Sequence, residues 1–253
     1  MQTTHLTPRI IKIMNILIAI LILCGCSLGN VSNYEQNNNA VEEQPYVEQE
    51  TVQEDEAVEE YVFVPTFAKE PIPQDIREKM WGVTISAKSH LGFDDLSYLT
   101  ITYLGYDDVP HEGHMIVAAE IADEVLNIFR ELYEAQFPIE KMNLPCEYDG
   151  IDELSMEDNN TSAFNDRPIE GSGGLSYHQL GRAIDINPLI NPYIKFSNNM
   201  LLPETAGRYL DRTLGEKGMI TDDCECVRIF EKYGWVWGGT WHSLKDYQHF
   251  EKH

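Results

Sequence analysis

Two short segments that lie far apart in the chain constrain its fold most strongly. Residues 176–185 read Ser-Tyr-His-Gln-Leu-Gly-Arg-Ala-Ile-Asp, and residues 246–251 read Asp-Tyr-Gln-His-Phe-Glu. Two histidines and a carboxylate from separate segments can hold a zinc ion on three sides and leave the fourth position for water, as catalytic zinc sites do. We therefore predict a fold that brings His178, Asp185 and His249 together around one zinc ion per chain.

The residues around these ligands favour such a meeting. Gly181 permits a tight turn after His178, and residues 183–187 alternate apolar and polar side chains like a half-buried strand, which would carry Asp185 back toward the histidine. Asp246 lies three residues before His249, so a short turn could place its carboxylate beside the attacking water without making it a ligand. We predict Asp246 as the general base.

Other readings of single residues stay open at this stage. A histidine and an aspartate seven positions apart also occur by chance, as a core histidine beside a strand-end aspartate. His242 is a candidate contact for substrate or oxyanion because it lies near Asp246, although a histidine beside tryptophans is often a packing residue. Ser176 is a second candidate substrate contact.

The pattern Ser-x-His-x-x-Gly-x-Ala-x-Asp, followed late in the chain by Asp-x-x-His-Phe-Glu, resembles the D-alanyl-D-alanine carboxypeptidase family of zinc peptidases. This family includes vancomycin-resistance carboxypeptidases and phage L-alanyl-D-glutamate endolysins. Residues 158–167 resemble the segment that brings an arginine to the substrate, and residues 234–241 resemble the run entering the last ligand strand. The resemblance covers residues 113–253 and implies an α+β domain of the hedgehog or DD-peptidase type, with a mixed or antiparallel sheet and flanking helices.

The resemblance also implies roles for single residues. It makes His178, Asp185 and His249 the zinc ligands, Asp246 the base, and Arg167 the group that steadies the carbonyl oxygen under attack. Asp166 departs from the family pattern, because an uncharged residue often precedes that arginine. Asp166 could form an ion pair with Arg167 or alter the charge preference for substrate.

The substrates implied by the resemblance are peptidoglycan stem peptides. The bond could be D-Ala-D-Ala, L-Ala-D-Glu or a cross-bridge, so a carboxypeptidase and an endopeptidase both remain open. The alternative is a non-catalytic wall-binding lipoprotein that retains the zinc-peptidase fold. An intact Asp246 favours the enzyme, because a pure binder needs no base.

Residues 1–26 are typical of a lipoprotein signal peptide. Arg9 and Lys12 precede an apolar run, and the sequence Leu-Cys-Gly-Cys that ends at Cys26 resembles a bacterial lipobox with Cys26 as the lipidated residue. An uncleaved N-terminal anchor is the alternative. Either reading predicts an extracytoplasmic protein held at a bacterial membrane.

Residues 27–70 are predicted to form an acidic, solvated tether before a zinc-peptidase domain at 71–253. Between Val41 and Glu60 there are nine acidic residues and no lysine or arginine, so this segment can bury little apolar surface. The formal net charge of −24 argues against a nucleic-acid partner, which needs a basic surface. It also argues against binding to membranes through charge, which leaves the lipid as the attachment.

Three cysteines follow the tether, namely Cys146, Cys224 and Cys226. The pair at 224 and 226 is too close in sequence for a comfortable disulfide and could offer soft metal ligands, but it lacks the second pair of a zinc ribbon. One bridge from Cys146 to either partner is also open. We interpret the three as incidental or structural thiols.

Apolar spacing and turn residues predict the remaining elements. Helices are expected at 113–136, from Pro203 to about Leu214, and at 222–233 with Asp222 as its cap, while His111 and His114 would open the first helix as structural or exposed residues. Strands are expected at 137–144, 183–186, 235–237 and 249–250, and the last three would form the sheet that carries the ligands. Residues 81–86 and 98–103 also have strand character, with no assigned place.

Overall fold

In the computed structural model, the structure describes residues 63–166 and 175–253. The predicted signal peptide, the predicted lipidation site Cys26, most of the predicted tether and Arg167 therefore lie outside the described residues. The helices are α1 (Gln74–Met80), α2 (Ala122–Glu134), α3 (Asp152–Glu157) and α4 (Glu225–Lys232). The strands are β1 (Phe67–Glu70), β2 (Leu96–Leu104), β3 (Pro110–Ala118), β4 (Ala183–Asp185), β5 (Tyr193–Lys195), β6 (Met200–Leu202), β7 (Val236–Trp237), β8 (Leu244–Asp246) and β9 (His249–Glu251).

The strands described form three small antiparallel sheets, in the orders β1-β2-β3, β4-β9-β7 and β6-β5-β8. Short 3-10 helices connect them at Phe93–Asp95, Ala119–Ile121, Pro145–Tyr148, Glu204–Leu210 and Gly238–Thr240. The described sheets are antiparallel, and the helices are separate from them instead of crossing between parallel strands, so the fold class is α+β.

The first predicted helix is wrong at its start. Residues 110–118 form β3, which pairs with β2 over its whole length, and the helix begins only at Ala122 after a 3-10 turn. His111 and His114 consequently belong to a strand, where they stack on Tyr103 and Tyr98. The apolar run 115–118 fits a buried strand as well as a helix, and pairing with β2 decided between them.

Several other elements differ from expectation. Residues 137–144 make only isolated bridges, and residues 81–86 follow α1 with one bridge between Trp81 and Ile85. The helix expected after Pro203 is the 3-10 helix Glu204–Leu210, and α4 begins at Glu225 without a side-chain cap from Asp222. These elements differ from the prediction because strand pairing and packing involve residues far apart in the chain, and a local apolar pattern carries no information about them.

A shared apolar core supports the ligand-bearing sheet. Ile184 of β4 and Phe250 of β9 are fully buried, and they pack in the same cluster as the apolar faces of α2 and α4. The Phe250 ring stacks on Phe230 of α4 with centroids 4.0 Å apart. Truncating such a phenylalanine typically costs about 3 to 5 kcal/mol, so this packing holds β4 and β9 firmly in place.

None of the helices in the described ranges has the length and apolar character required to cross a bilayer.

Candidate metal centre

The register of β4 and β9 places two of the predicted ligands side by side. Asp185 lies opposite His249 in this antiparallel pair, and the neighbouring pair is Ile184 with Phe250. Side chains alternate between the two faces of a strand, so the buried pair fills the core while Asp185 and His249 share the other face. Asp185 Oδ1 lies 2.9 Å from His249 Nδ1.

A turn before β4 brings the third ligand to this pair. Gly181 has a φ of 60°, and a Cβ atom there would lie 2.5 Å from the Ala118 backbone nitrogen, so the turn requires glycine. Ala118 N also donates a 3.0 Å hydrogen bond to Gly181 O. The turn thus packs against the end of β3, and His178 Nε2 lies 3.2 Å from both Asp185 Oδ2 and His249 Nδ1.

These three side chains form a group that could bind a metal, since one ligand atom from each lies within 4.8 Å of the others. Hydrogen bonds also fix the two imidazole rings. His178 Nδ1 lies 2.7 Å from the Ala163 carbonyl oxygen, and His249 Nε2 lies 3.2 Å from Glu251 Oε2. With a cation at the centre, each ring would carry its proton on the bonded nitrogen and turn its other nitrogen to the cation. Two imidazole nitrogens and one carboxylate are a donor set that fits zinc and leaves a position open.

The electrostatics of the centre favour a cation. Burial opposes a charge on Asp185, but His178 and His249 outweigh it and hold the pKa of this carboxyl well below its usual range. Burial would lower the pKa of His249, but hydrogen bonds with Asp185 and Glu251 raise it to about 10. The carboxylates therefore stabilise positive charge here, which a divalent cation can supply in place of a proton.

Asp246 lies at the end of β8, three residues before His249, and outside the ligand group. Burial raises the pKa of Asp246 to about 6, and the charge of Asp185 adds to this effect against the opposing charge of His249. Asp246 Oδ1 is buried, and no described residue gives it a hydrogen bond. The structure thus provides a desolvated acceptor that is electrostatically linked to the ligands, which is the chemistry expected of a general base.

A glycine makes room for this carboxylate. A Cβ atom on Gly238 would lie 2.8 Å from Asp246 Cβ and 2.7 Å from Asp246 O. The backbone of the 3-10 helix Gly238–Thr240 therefore packs directly against the end of β8.

The other predicted site residues occupy different positions. Ser176 lines a cavity of about 60 Å³ together with His178, Asp185 and Asn165, and its Oγ accepts a 3.2 Å hydrogen bond from His178 N. His242 is exposed, and it is Trp241 whose ring lies 5.5 Å from the His249 ring. Substrate contact by Ser176 or His242 stays a prediction.

Asp166 has a partner on the loop that carries the first ligand. Its Oδ1 accepts a 2.7 Å hydrogen bond from Gln179 Nε2. Arg167 lies outside the described residues, so its pairing with Asp166 and its role at the substrate stay predictions.

Sequence reasoning missed the two groups that orient the histidine rings. Glu251 could have been found, because it lies two residues after His249 and strand alternation puts both on one face. The Ala163 carbonyl is a backbone group, for which the sequence carries no signal. Ser162 adds a second backbone link, since its N–H and C=O both pair with Asp185.

The three cysteines in the described ranges are free thiols. Cys224 lies just before α4, where a hydrogen bond from Cys226 and backbone N–H groups lower its pKa to about 6. Cys226 is fully buried, and its pKa is raised well above its usual value. Neither belongs to the ligand group around His249.

Comparisons with known proteins agree with the geometry. A family model described as D-alanyl-D-alanine carboxypeptidase matches residues 170–252. Searches of curated proteins and of solved structures found no significant match. The matched segment includes all three ligands and Asp246, but it begins after Arg167. Residues 170–252, which carry the whole candidate metal centre, therefore match the D-alanyl-D-alanine carboxypeptidase family of zinc peptidases, and this confirms the resemblance predicted from the sequence.

Proposed function

We propose that this protein is a zinc-dependent peptidase that hydrolyses peptidoglycan stem peptides, with a domain of the hedgehog or DD-peptidase type. One observation carries the proposal, namely a converging His178, Asp185 and His249 group beside the buried Asp246 carboxylate, whose Oδ1 has no described hydrogen-bond partner. The family match over residues 170–252 supports the same reaction class.

His178, Asp185 and His249 would hold the zinc ion, which when bound lowers the pKa of water and polarises a carbonyl group. Asp246 accepts the proton that water loses as it attacks the peptide carbonyl, and then delivers this proton to the leaving amine. Burial raises the pKa of Asp246 to about 6, which makes its carboxylate a stronger base than an exposed aspartate. Arg167 stabilises the negative charge that develops on the carbonyl oxygen.

We infer that the small cavity beside the ligands accepts part of the substrate. Ser176 and Asn165 line this cavity next to His178 and Asp185. Asn165 Nδ2 donates to Asp152 Oδ1 and to Gly150 O, so the side-chain amide is oriented by two acceptors. Its Oδ1 is buried without a described donor and can accept a hydrogen bond from a peptide N–H.

A non-catalytic wall-binding protein is the alternative, and Asp246 argues against it. A buried carboxylate oxygen without a hydrogen bond, such as Asp246 Oδ1, typically costs a protein about 1 to 3 kcal/mol, and a binder would gain nothing from this cost.

Hydrolysis of purified muropeptides by the chain after removal of its signal peptide tests the proposal. Cleavage should stop with a chelator and return with added zinc. The masses of the products identify the bond, because loss of one alanine indicates a carboxypeptidase and an internal cut indicates an endopeptidase. Tight zinc and muropeptide binding without any cleavage would favour the binding protein instead.

The site of action is a further part of the proposal. The protein acts outside the cytoplasm and is anchored by a lipid on Cys26, with the acidic segment from residue 27 up to β1 as a spacer toward the wall. Cys26→Ser should stop incorporation of labelled fatty acid and release the protein from the membrane fraction or leave it unprocessed. Equal labelling of the variant and the parent protein would rule out lipidation at this cysteine.

A further inference from the structure

We propose that Glu251 is a positioning residue for the metal ligand His249, and that His253 and Tyr177 hold Glu251 in place. This inference rests on the proposed metal centre, but it does not depend on which peptide bond is cut. It concerns Nε2 of the His249 ring, the nitrogen that faces away from the metal centre.

Glu251 contacts two histidines through its two carboxylate oxygens. Oε2 lies 3.2 Å from His249 Nε2, and Oε1 lies 3.1 Å from His253 Nε2. Strand alternation in β9 puts residues 249 and 251 on the same face, so the contact follows from the strand itself. The Glu251 side chain is 13% exposed, and that of His249 is 9% exposed.

The contact determines which nitrogen of His249 is available to a metal. A carboxylate accepts hydrogen bonds, so it stabilises the tautomer with the proton on Nε2. When a metal replaces the proton at the centre, the lone pair is on Nδ1, the atom that faces Asp185 and His178. Without Glu251, the imidazole would be free to place its proton on either nitrogen and to rotate.

The two histidine ligands are supported in different ways. His178 is fixed by the Ala163 carbonyl oxygen, a backbone group that its neighbours already hold. His249 depends on a side chain with several rotatable bonds, which needs a support of its own. A carboxylate partner also makes an imidazole a stronger ligand.

Tyr177 and His253 provide this support. Tyr177 OH lies 2.8 Å from His253 Nδ1, and the two rings meet edge to face with centroids 5.0 Å apart. Tyr177 immediately precedes His178, so the contacts run from His249 through Glu251, His253 and Tyr177 back to the segment of the first ligand. The two ligand-bearing segments are thus joined behind the metal centre as well as at it.

Zinc affinity measured by competition with a chromogenic chelator tests the assignment, since it needs no substrate. Glu251→Ala should weaken zinc binding about 10- to 100-fold, the usual effect of losing such a partner. Glu251→Gln keeps an oxygen that can accept from Nε2–H and should restore most of the affinity. His253→Ala and Tyr177→Phe should weaken binding only a few-fold, because Glu251 keeps its contact with His249.

Glu131→Ala is a matched control. Glu131 also accepts hydrogen bonds from two side chains, Lys232 and Tyr233, but it has no contact with the ligands. Its removal should leave zinc affinity unchanged. If Glu251→Ala binds zinc as tightly as the parent protein, or if Glu131→Ala loses as much affinity, the assignment is wrong.

Nitrogen-15 NMR of the zinc-loaded protein gives a second readout in case Glu251→Ala fails to fold. His249 should show a protonated Nε2 and a metal-bound Nδ1 in the parent protein and in Glu251→Gln. Zinc on Nε2 would overturn the assignment. If the parent protein binds zinc through Nδ1 of His249 but cleaves no muropeptide, the proposed function is refuted and the role of Glu251 is not.

Discussion

Asp246→Asn should make the metal-free protein more stable while it abolishes most of the activity. The carboxyl is buried, and its pKa is raised from an ordinary value of 3.8 to about 6. A carboxyl with a raised pKa binds its proton more tightly in the folded state than in the unfolded one. The folded state is therefore penalised as the pH rises from 3.8 through 6, and the full penalty applies above that range.

The size of the penalty follows from the shift. A difference of about two pKa units corresponds to about 3 kcal/mol, and asparagine does not carry it because it has no charge to bury. Urea unfolding of chelator-treated protein should show a gain of this order for Asp246→Asn at pH 8. The gain should vanish near pH 3, where the aspartate is protonated in both states.

Asp211→Asn is a suitable control for the sign of the effect. Asp211 accepts hydrogen bonds from the side chain and backbone of Thr213, which lower its pKa. Replacing it should give no gain in stability at pH 8.

Turnover must change in the opposite direction from stability. If Asp246 only accepts the proton of the attacking water, Asp246→Asn should retain zinc and lose a hundredfold or more in muropeptide cleavage, on the order expected for a general base. Cleavage at the parental rate would refute this mechanism and direct attention to His242. Loss of zinc would make Asp246 a ligand, and lower stability at pH 8 would refute the burial argument.

Three further predictions concern other groups. His178→Ala combined with His249→Ala should remove the bound zinc, and an undiminished zinc content by metal analysis would contradict the ligand assignment. Arg167→Ala should retain zinc but lose about 3 kcal/mol of transition-state stabilisation, measured as a fall in kcat/KM for muropeptides. An unchanged kcat/KM would contradict a role for Arg167 in catalysis. Cys224 should react with iodoacetamide at a rate that rises as the pH passes about 6, because its pKa is lowered to that value and the thiolate forms above it. Cys226 should stay unmodified because it is buried; mass spectrometry of the labelled peptide distinguishes the two, and preferential labelling of Cys226 would contradict the structure.

The sequence by itself determined the chemistry of the candidate site. The residue types and spacing of His178, Asp185 and His249 predict a zinc-binding group, and the structure brings these three together. Gly181 and the alternation at 183–187 correctly predicted the turn and β4. These features are local, because a turn needs particular φ angles and a strand has a two-residue period.

Only the tertiary structure decided where charge is buried and which groups orient the ligands. The apolar run 115–118 became a strand because β2 pairs with it, although its pattern also fits a helix. Asp246 has a raised pKa because packing around Gly238 and β9 removes it from water. The Ala163 carbonyl fixes His178 across a gap of 15 residues, and no property of the residue at position 163 indicates this. Burial and register depend on distant segments of the chain, so sequence patterns identified the ligands but not the surroundings that set their protonation and orientation.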